Sequence, residues 1–204
     1  MHDKRWITPP LPDKHLLDEL AKDLNIGKDL ATILMQRGIT TFSEAKNFFR
    51  PSLDGLHDPY LMKGMEKAVS RILEAIEKKE NILIYGDYDV DGTSAVAVVY
   101  KFISKLHGQT GYYIPDRYAE GYGISFLGID YAAENNYSLI VALDCGIKAV
   151  DKVAYANEKH IDFIICDHHL PGEELPAAVS ILNPKILVCL QIIIKEPCLV
   201  TDAD

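Results

Sequence analysis

Acidic and imidazole side chains directly follow three short apolar segments of this sequence. The first segment is followed by Asp87, Asp89 and Asp91, the second by Asp144, and the third by Asp167, His168 and His169. Carboxylates that lie close together repel one another unless a positive charge neutralises them. A divalent metal supplies that charge most simply. A mixed set of Asp and imidazole ligands suits manganese, with magnesium as the alternative.

These residues also have ordinary structural explanations. An Asp at the end of a strand is often a helix N-cap or a turn residue, and Asp91 could be only part of a cap for the helix that follows it. Two adjacent histidines, taken alone, are more often a loop pair than metal ligands. The structural explanation weakens because three separate segments end in the same types of residue.

A calcium-binding EF-hand is excluded. The sequence Asp87-x-Asp89-x-Asp91-Gly92 matches the opening of an EF-hand loop, but the twelfth position, where a bidentate Glu is needed, is Val98. An apolar strand, not a helix, is predicted to precede the loop.

From residue 81 onward, short apolar segments alternate with helical segments. Strands are predicted over 81–86, 110–114, 138–143, 162–166 and 179–182, and helices over 93–106, 126–135 and 149–159. This alternation predicts an α/β fold with a parallel, doubly wound sheet. In such a sheet the carboxyl ends of the strands lie along one edge, where ligands bind. The acidic and imidazole residues are therefore expected to meet in one crevice.

The sequence before residue 81 is predicted to be mostly helical. Leucines recur at helical spacing from Leu16 to Leu24 after a candidate N-cap at Asp13, and further helices are predicted over 29–37, from Ser43, and over 66–79. The predicted organisation is a helical N-terminal region (1–80), an α/β metal-binding domain (81–185) and an atypical apolar tail (186–204).

Two glycine-containing segments are candidates for phosphate binding. Gly92 and Thr93 stand at the start of a predicted helix, so their amides are suited to face a phosphate. The loop after the second strand contains Arg117, a candidate phosphate clamp, and Gly121 and Gly123, which permit close backbone approach. A flexible loop with one ordinary arginine is the alternative explanation.

Composition is that of an ordinary globular protein. The 204 residues are 48% hydrophobic and 25% charged. No segment approaches the roughly 18 apolar residues of a membrane span, and no signal peptide is evident at the start. The four cysteines form no CxxC pair, which favours a cytoplasmic location. The net charge of −9 argues against a nucleic-acid partner, although carboxylates that bind metal lose much of their negative field.

Several motifs, in order, resemble those of the DHH phosphoesterase family. Tyr85–Gly92 resembles the first motif, Ala142–Gly146 the second, and Cys166–His169, followed by Pro171, the third. The stretch from Ile114 to Gly123 is similar to a loop of the family's single-strand-specific DNA exonucleases. The resemblance covers residues 80–185, and several motifs in order are more specific than any one of them.

The resemblance implies two-metal hydrolysis of phosphodiester bonds, with single-stranded DNA digested from the 5′ end in repair and recombination. It implies two Mn²⁺ or Mg²⁺ ions. The implied ligands are Asp89, Asp91, Asp144 between the ions, His168, and Asp87 as a further ligand or a contact to metal-bound water. His169 would face the scissile phosphate. A single-strand-binding protein or a helicase is the implied protein partner, and no membrane is implied.

Two alternatives stay open from the sequence. Another DHH phosphoesterase would act on short oligonucleotides, cyclic dinucleotides or pyrophosphate. A metal-binding but inactive fragment or scaffold is the other, because the sequence departs from the family pattern after Lys185. A fourth motif with another aspartate and a substrate-binding domain are expected there. We expect the tail to reflect a truncation or a frameshift, and the chain as written to lack nuclease activity.

Overall fold

The computed structural model describes residues 7–186. The chain forms two compact units, which divide between His57 and Asp58. The predicted tail lies almost wholly outside the described residues, so the expectations for it stay predictions.

The first unit is a cluster of short helices: α1 (Lys14–Leu24), α2 (Lys28–Gln36) and α3 (Phe42–Phe49). Asp13 caps α1, since its side chain accepts hydrogen bonds from the amides of His15 and Leu16. Thr41 and Glu44 form a capping box at the start of α3. A small apolar core joins the three helices through Leu20, Ala21, Ala31, Leu34, Ile39 and Ala45.

The second unit is an α/β domain built on one parallel sheet. Its elements are α4 (Met65–Glu77), β1 (Asn81–Gly86), α5 (Val90–Leu106), β2 (Thr110–Tyr113), α6 (Phe126–Glu134), β3 (Tyr137–Leu143), α7 (Val150–Glu158), β4 (Asp162–Cys166) and β5 (Ser180–Leu182). All neighbouring strands are parallel, in the order β2-β1-β3-β4-β5. The predicted fold class is confirmed.

Helices cover both faces of the sheet. Side chains alternate along β1, so that Ile82 and Ile84 pack with α4 and α5, whereas Leu83 and Tyr85 pack with α6 and α7. Burial on both faces explains why the strands read as continuous apolar runs rather than as alternating ones. No helix in residues 7–186 is long and apolar enough to cross a membrane.

The strand order fixes where a ligand can bind. The chain moves from β1 to β2 on one side and then crosses back to β3 on the other side of β1. At such a switch point the connections leave in opposite directions, and a crevice opens at the carboxyl ends of the two central strands. Asp87 follows β1 and Asp144 follows β3, so both residues lie at this crevice.

Two boundaries differ from the sequence-based expectation. The sequence places helix α4 in the N-terminal region, but its Ala68 and Ala75 pack against the sheet, so α4 belongs to the second compact unit. Helix α5 begins at Val90, three residues earlier than predicted, because the Asp89 carboxylate accepts the amides of its first turn.

Arg71 ties α4 to the amino end of the sheet. Its guanidinium donates to Glu80, before β1, and to Asp162 of β4, each at 2.6 Å, and only 12% of its side chain is exposed. Ser138 also donates to Glu80, at 2.6 Å. Burial tends to raise the pKa of Glu80, but the hydrogen bonds from Ser138 and Arg71 outweigh it and lower that pKa.

Arg71→Ala should lower the free energy of unfolding by roughly 2–3 kcal/mol, because it leaves two partly buried carboxylates without their cation. Lys78→Ala is the matched control. It breaks the exposed pair between Lys78 and Glu74 and should have little effect. Urea denaturation at neutral pH measures both. Equal stability of the two variants would contradict the importance of Arg71.

Candidate metal centre

Asp87, at the end of β1, is a buried carboxylate with one unsatisfied oxygen. Its side chain is fully buried, and Oδ1 accepts the Tyr88 amide at 2.6 Å. Among the described residues, no donor meets hydrogen-bond geometry at Oδ2, although the Tyr122 hydroxyl and the Gly123 amide are near enough to the carboxylate to act against the rise in its pKa. Burial raises the pKa of Asp87, and the hydrogen bond from the Tyr88 amide opposes that rise. A buried oxygen without a partner is costly in a structure, and a cation would satisfy it.

Asp89 directly precedes α5, and Asp91 lies in the first turn of that helix. One oxygen of Asp89 accepts the amides of Asp91 and Gly92 at 3.0 and 2.9 Å, so the N-cap of α5 is Asp89 and not Asp91, the residue that the structural explanation named. This cap uses Oδ1 and leaves Oδ2 outside the cap. Asp91 lines a cavity of about 430 Å³ together with Asp144 and His168. Capping and metal binding are therefore compatible.

Asp144, at the end of β3, is held in a conformation that few non-glycine residues adopt. Its φ is 58°, in the left-handed region, and its amide donates to the Cys166 carbonyl at 2.8 Å. Strained residues of this kind cluster at functional sites, where surrounding structure holds them. The side chain is mostly buried, and its Oδ1 lies 2.9 Å from Nε2 of His168.

Asp144, His168 and His169 form a three-donor cluster, in which the candidate ligand atoms all lie within 4.8 Å of one another. Burial raises the pKa of Asp144, and the nearby negative charge of Asp89 raises it further, while the two histidines oppose that rise. The structure thus brings residues from the ends of β1, β3 and β4 to one edge. Asp87, Asp89 and Asp91 lie at that edge but outside the three-donor cluster.

Asp167 joins the two loops that carry the cluster. Its Oδ1 accepts from the His169 amide at 3.0 Å and contacts the ring Nδ1 of His169 at 2.7 Å. Its Oδ2 accepts the Ile147 amide, from the loop after β3, at 2.9 Å. Asp167 therefore fixes the orientation of His169 and leaves Nε2 as the free ring nitrogen. The sequence placed Asp167 at the edge but did not assign it this role.

Glu120 fastens the loop between β2 and α6. Its carboxylate accepts the Asp116 amide at 2.8 Å, the Tyr113 hydroxyl at 2.9 Å and the Ser125 hydroxyl. The buried hydroxyl of Tyr85 donates to the Gly123 carbonyl at 3.0 Å and accepts the Ser125 amide at 3.1 Å. Sequence reasoning missed Glu120, because only the folded loop shows that one carboxylate serves three donors.

Aromatic rings connect this loop to the metal edge. The guanidinium of Arg117 lies 5.4 Å from the centre of the Tyr88 ring, and the Tyr122 ring packs edge-on against Tyr88 at 5.8 Å and His169 at 6.3 Å. Burial and then the negative charge of Asp87 raise the pKa of Tyr122, so its hydroxyl stays protonated near the carboxylates. Arg117 is exposed, and its role as a phosphate clamp stays a prediction.

The candidate phosphate-binding glycines have different surroundings. Gly121 and Gly123 have positive φ values of 83° and 80°, which explains why glycine stands at both positions. A Cβ at Gly92 would lie 2.6 Å from backbone atoms of Asp87, so this glycine permits close packing of α5 on β1. The Gly92 amide and the Thr93 hydroxyl both bond to Asp89. Phosphate contact by these residues stays a prediction.

The donor set fits a divalent cation such as Mn²⁺ or Mg²⁺. It combines carboxylate oxygens with imidazole nitrogen, and it includes the unsatisfied Oδ2 of Asp87 and the clustered donors of Asp144 and His168. Repulsion between Asp89 and Asp144 supplies the electrostatic reason for a cation.

The chain matches the model of the DHH family, N-terminal domain, over residues 81–190. It is 41% identical over 174 residues to the single-stranded-DNA-specific exonuclease RecJ of Bacillus subtilis, covering 85% of this chain and 22% of that protein. It is 28% identical over 187 residues to the protein of the same name from Thermus thermophilus, covering 91% of this chain and 27% of that protein. The chain spans about a quarter of the length of these relatives.

Solved structures agree with these matches. The crystal structure of RecJ in complex with Mn²⁺ from Thermus thermophilus superposes with a TM-score of 0.64 at 25% identity, over 85% of this chain and 24% of that one. A crystal structure of exonuclease RecJ bound to manganese superposes with a TM-score of 0.59 at 27% identity, over 65% of this chain and 34% of that one.

Asp144→Asn should raise the thermal stability of the protein without metal and should abolish the gain in stability that Mn²⁺ gives. Without metal, the variant should melt a few degrees higher, because it removes a buried charge whose pKa burial and Asp89 both raise. For a carboxyl with a raised pKa the ionised form is the destabilised one, so this gain should shrink as the pH falls through that pKa. With Mn²⁺, the wild type should gain stability and the variant should not. Thermal melts with EDTA and with Mn²⁺ measure both effects, and calorimetric titration showing equal Mn²⁺ affinity would contradict the assignment.

Glu120→Ala should loosen the loop without unfolding the domain, because it removes the shared acceptor of Asp116, Tyr113 and Ser125. We expect faster hydrogen exchange of amides 116–125 by about tenfold or more. Glu134→Ala, at the exposed end of α6, is the matched control. Unchanged exchange in the Glu120 variant would show that the loop is held by other contacts.

Proposed function

This chain belongs to the DHH family, and on that basis we propose that it carries the metal-binding part of the active site of a 5′→3′ single-stranded-DNA exonuclease. The observation that carries the proposal is the cluster of Asp144, His168 and His169 at the switch point of the sheet. The similarity to proteins named as single-stranded-DNA-specific exonucleases supports the choice of substrate. Repair and recombination in the cytoplasm are the corresponding cellular setting.

The residues divide into metal ligands and groups that contact the substrate. Asp89, Asp91, Asp144 and His168 would hold two divalent ions, with Asp87 as a further ligand or a contact to a metal-bound water. When bound, such ions polarise the phosphoryl oxygens, lower the pKa of the attacking water and stabilise the leaving oxygen. The two similar crystal structures of RecJ contain manganese, which supports Mn²⁺ as the first ion to test.

His169 is proposed to contact the scissile phosphate rather than a metal. Asp167 engages Nδ1 and thereby holds the ring in one orientation. Nδ1 donates to the carboxylate, so Nε2 can donate to a phosphoryl oxygen when the ring carries a proton on both nitrogens. Because charge on that oxygen grows in the transition state, a donor fixed in advance accelerates the reaction more than it strengthens binding.

The loop between β2 and α6 is proposed to bind the strand beside the metals. Arg117 is exposed and could form two parallel hydrogen bonds to a phosphate, and its contact with Tyr88 restricts its position. The glycine backbone at Gly121 and Gly123 lets the strand approach closely. A single-strand-binding protein or a helicase remains the candidate protein partner.

The activity should appear as release of mononucleotides from single-stranded DNA with Mn²⁺. We would assay this chain and a chimera in which the Bacillus subtilis relative supplies the sequence after Lys185. In the chimera, 3′-labelled single strands should shorten from the 5′ end, and blunt duplexes should resist. A chimera that binds Mn²⁺ but digests neither strand end would overturn the proposed function.

The His169→Ala chimera separates the two histidine roles. We expect nearly unchanged Mn²⁺ affinity and turnover lower by about 10²-fold or more, as for a lost transition-state contact. His168→Ala is the matched control, and it should weaken Mn²⁺ binding itself. If His169→Ala instead lost the metal, the assigned roles would be wrong.

A further inference from the structure

A second cavity adjoins the metal edge on the far side of His169. It measures about 300 Å³ and lies between the loop after β3 and the loop before α6. Its wall includes Tyr122, Gly123 and Gly146 as well as His169 and Asp167. Among residues 7–186, Asp167 alone lines both this cavity and the acidic one. A group bound here would therefore be next to a phosphate that His169 contacts.

Two lysines give this cavity a positive character. Lys148 and Lys152 line it, at the start of α7, where the helix dipole adds to their charge. Asp167 supplies the one carboxylate that the described residues place on the wall, and it already accepts the Ile147 amide and contacts His169. In the neighbouring cavity the charged residues are instead Asp91, Asp144, Asp167 and His168.

The lysine stems are placed by contacts with the surrounding chain. The Lys152 ammonium lies 5.2 Å from the centre of the Phe126 ring and 3.2 Å from the Asp151 carboxylate. Asp151 is exposed, and such a pair is weak in water. Lys148 is exposed, and its stem passes beside Gly172 in the loop after His169. Both lysines thus border the cavity, and the weak pair with Asp151 can be exchanged for an anion.

We propose that the cavity bounded by Lys148 and Lys152 is a phosphate subsite, which binds the phosphate of the DNA strand next to the scissile one. This inference rests on the proposed function. Lysine ammonium groups bind phosphate as point charges and tolerate its rotation, which suits a strand that must advance after each cleavage. The phosphate has two sources, an internal linkage or a 5′-terminal monoester, and both present the same anionic oxygens.

The test is binding of 5′-phosphorylated, 3′-fluorescein-labelled dT8 to this chain, followed by fluorescence anisotropy in EDTA and in Mn²⁺, with probe integrity checked on a gel. Lys148→Met with Lys152→Met should weaken binding by about tenfold. It should also reduce the slope of log affinity against log salt by about 0.7, as for one lost phosphate contact on a single strand. The corresponding double Arg variant should retain wild-type affinity.

The matched control is Lys101→Met with Lys105→Met, which removes the same charge from exposed positions on α5. Equal weakening in both double variants would mean a general charge effect and would overturn the subsite. Lys148→Met alone, at an exposed position, gives the same test if the double variant folds poorly.

Modified probes identify the phosphate. The 5′ phosphate is removed, or one linkage at a time is replaced with uncharged methylphosphonate. At one position in the probe, this change should weaken binding to the wild type. At the same position it should not affect binding to the double Met variant. The position at which binding weakens shows whether the bound phosphate is an internal linkage or the 5′-terminal monoester. A wild type that binds the strand normally but shows no such position overturns the subsite alone. A wild type that binds no strand in either condition overturns the subsite, whereas the proposed function is tested separately by digestion with the chimera.

Discussion

Electrostatic repulsion at the carboxyl edge of the sheet is the constraint on which the site depends. Three strands end in carboxylates, and the strand order brings the ends of β1 and β3 to the same crevice. Asp87 and Asp144 are buried there, and burial raises the pKa of both. Without a cation, these groups destabilise the fold. The apolar packing on both faces of the sheet must offset that cost, which fits strands that are apolar on both sides.

The groups that hold this geometry are different from the groups that would bind metal. Asp167 joins the loop after β4 to the loop after β3 through Ile147, and Glu120 closes the loop that carries Arg117. Tyr85 connects that loop to β1, the strand that ends at Asp87. A metal site of this kind needs such supporting hydrogen bonds, because ligands on loops are otherwise too mobile to keep one arrangement.

Sequence reasoning located the strands and the edge, because buried strands and their terminal carboxylates are local patterns. It placed the start of α5 three residues late, since a cap by Asp89 and close packing of Gly92 on Asp87 depend on contacts that the sequence does not display. It likewise could not show that Asp167 orients His169, or that Glu120 accepts three hydrogen bonds. Each of these roles requires partners that are distant in the chain or that meet only once a loop has closed.

The net charge of −9 does not indicate whether the protein binds DNA, because positive and negative residues are segregated between the two cavities beside His169. On one side of His169, carboxylates of Asp91 and Asp144 line a cavity suited to cations, and on the other side Lys148 and Lys152 line a cavity suited to an anion. A single nucleotide chain carries an anion at every linkage, so it can place one phosphate at each side of His169. In the proposed roles, acidic residues would hold cations and basic residues would hold phosphate on the same strand. An acidic protein can therefore bind DNA where its local charges, rather than its total charge, match the substrate.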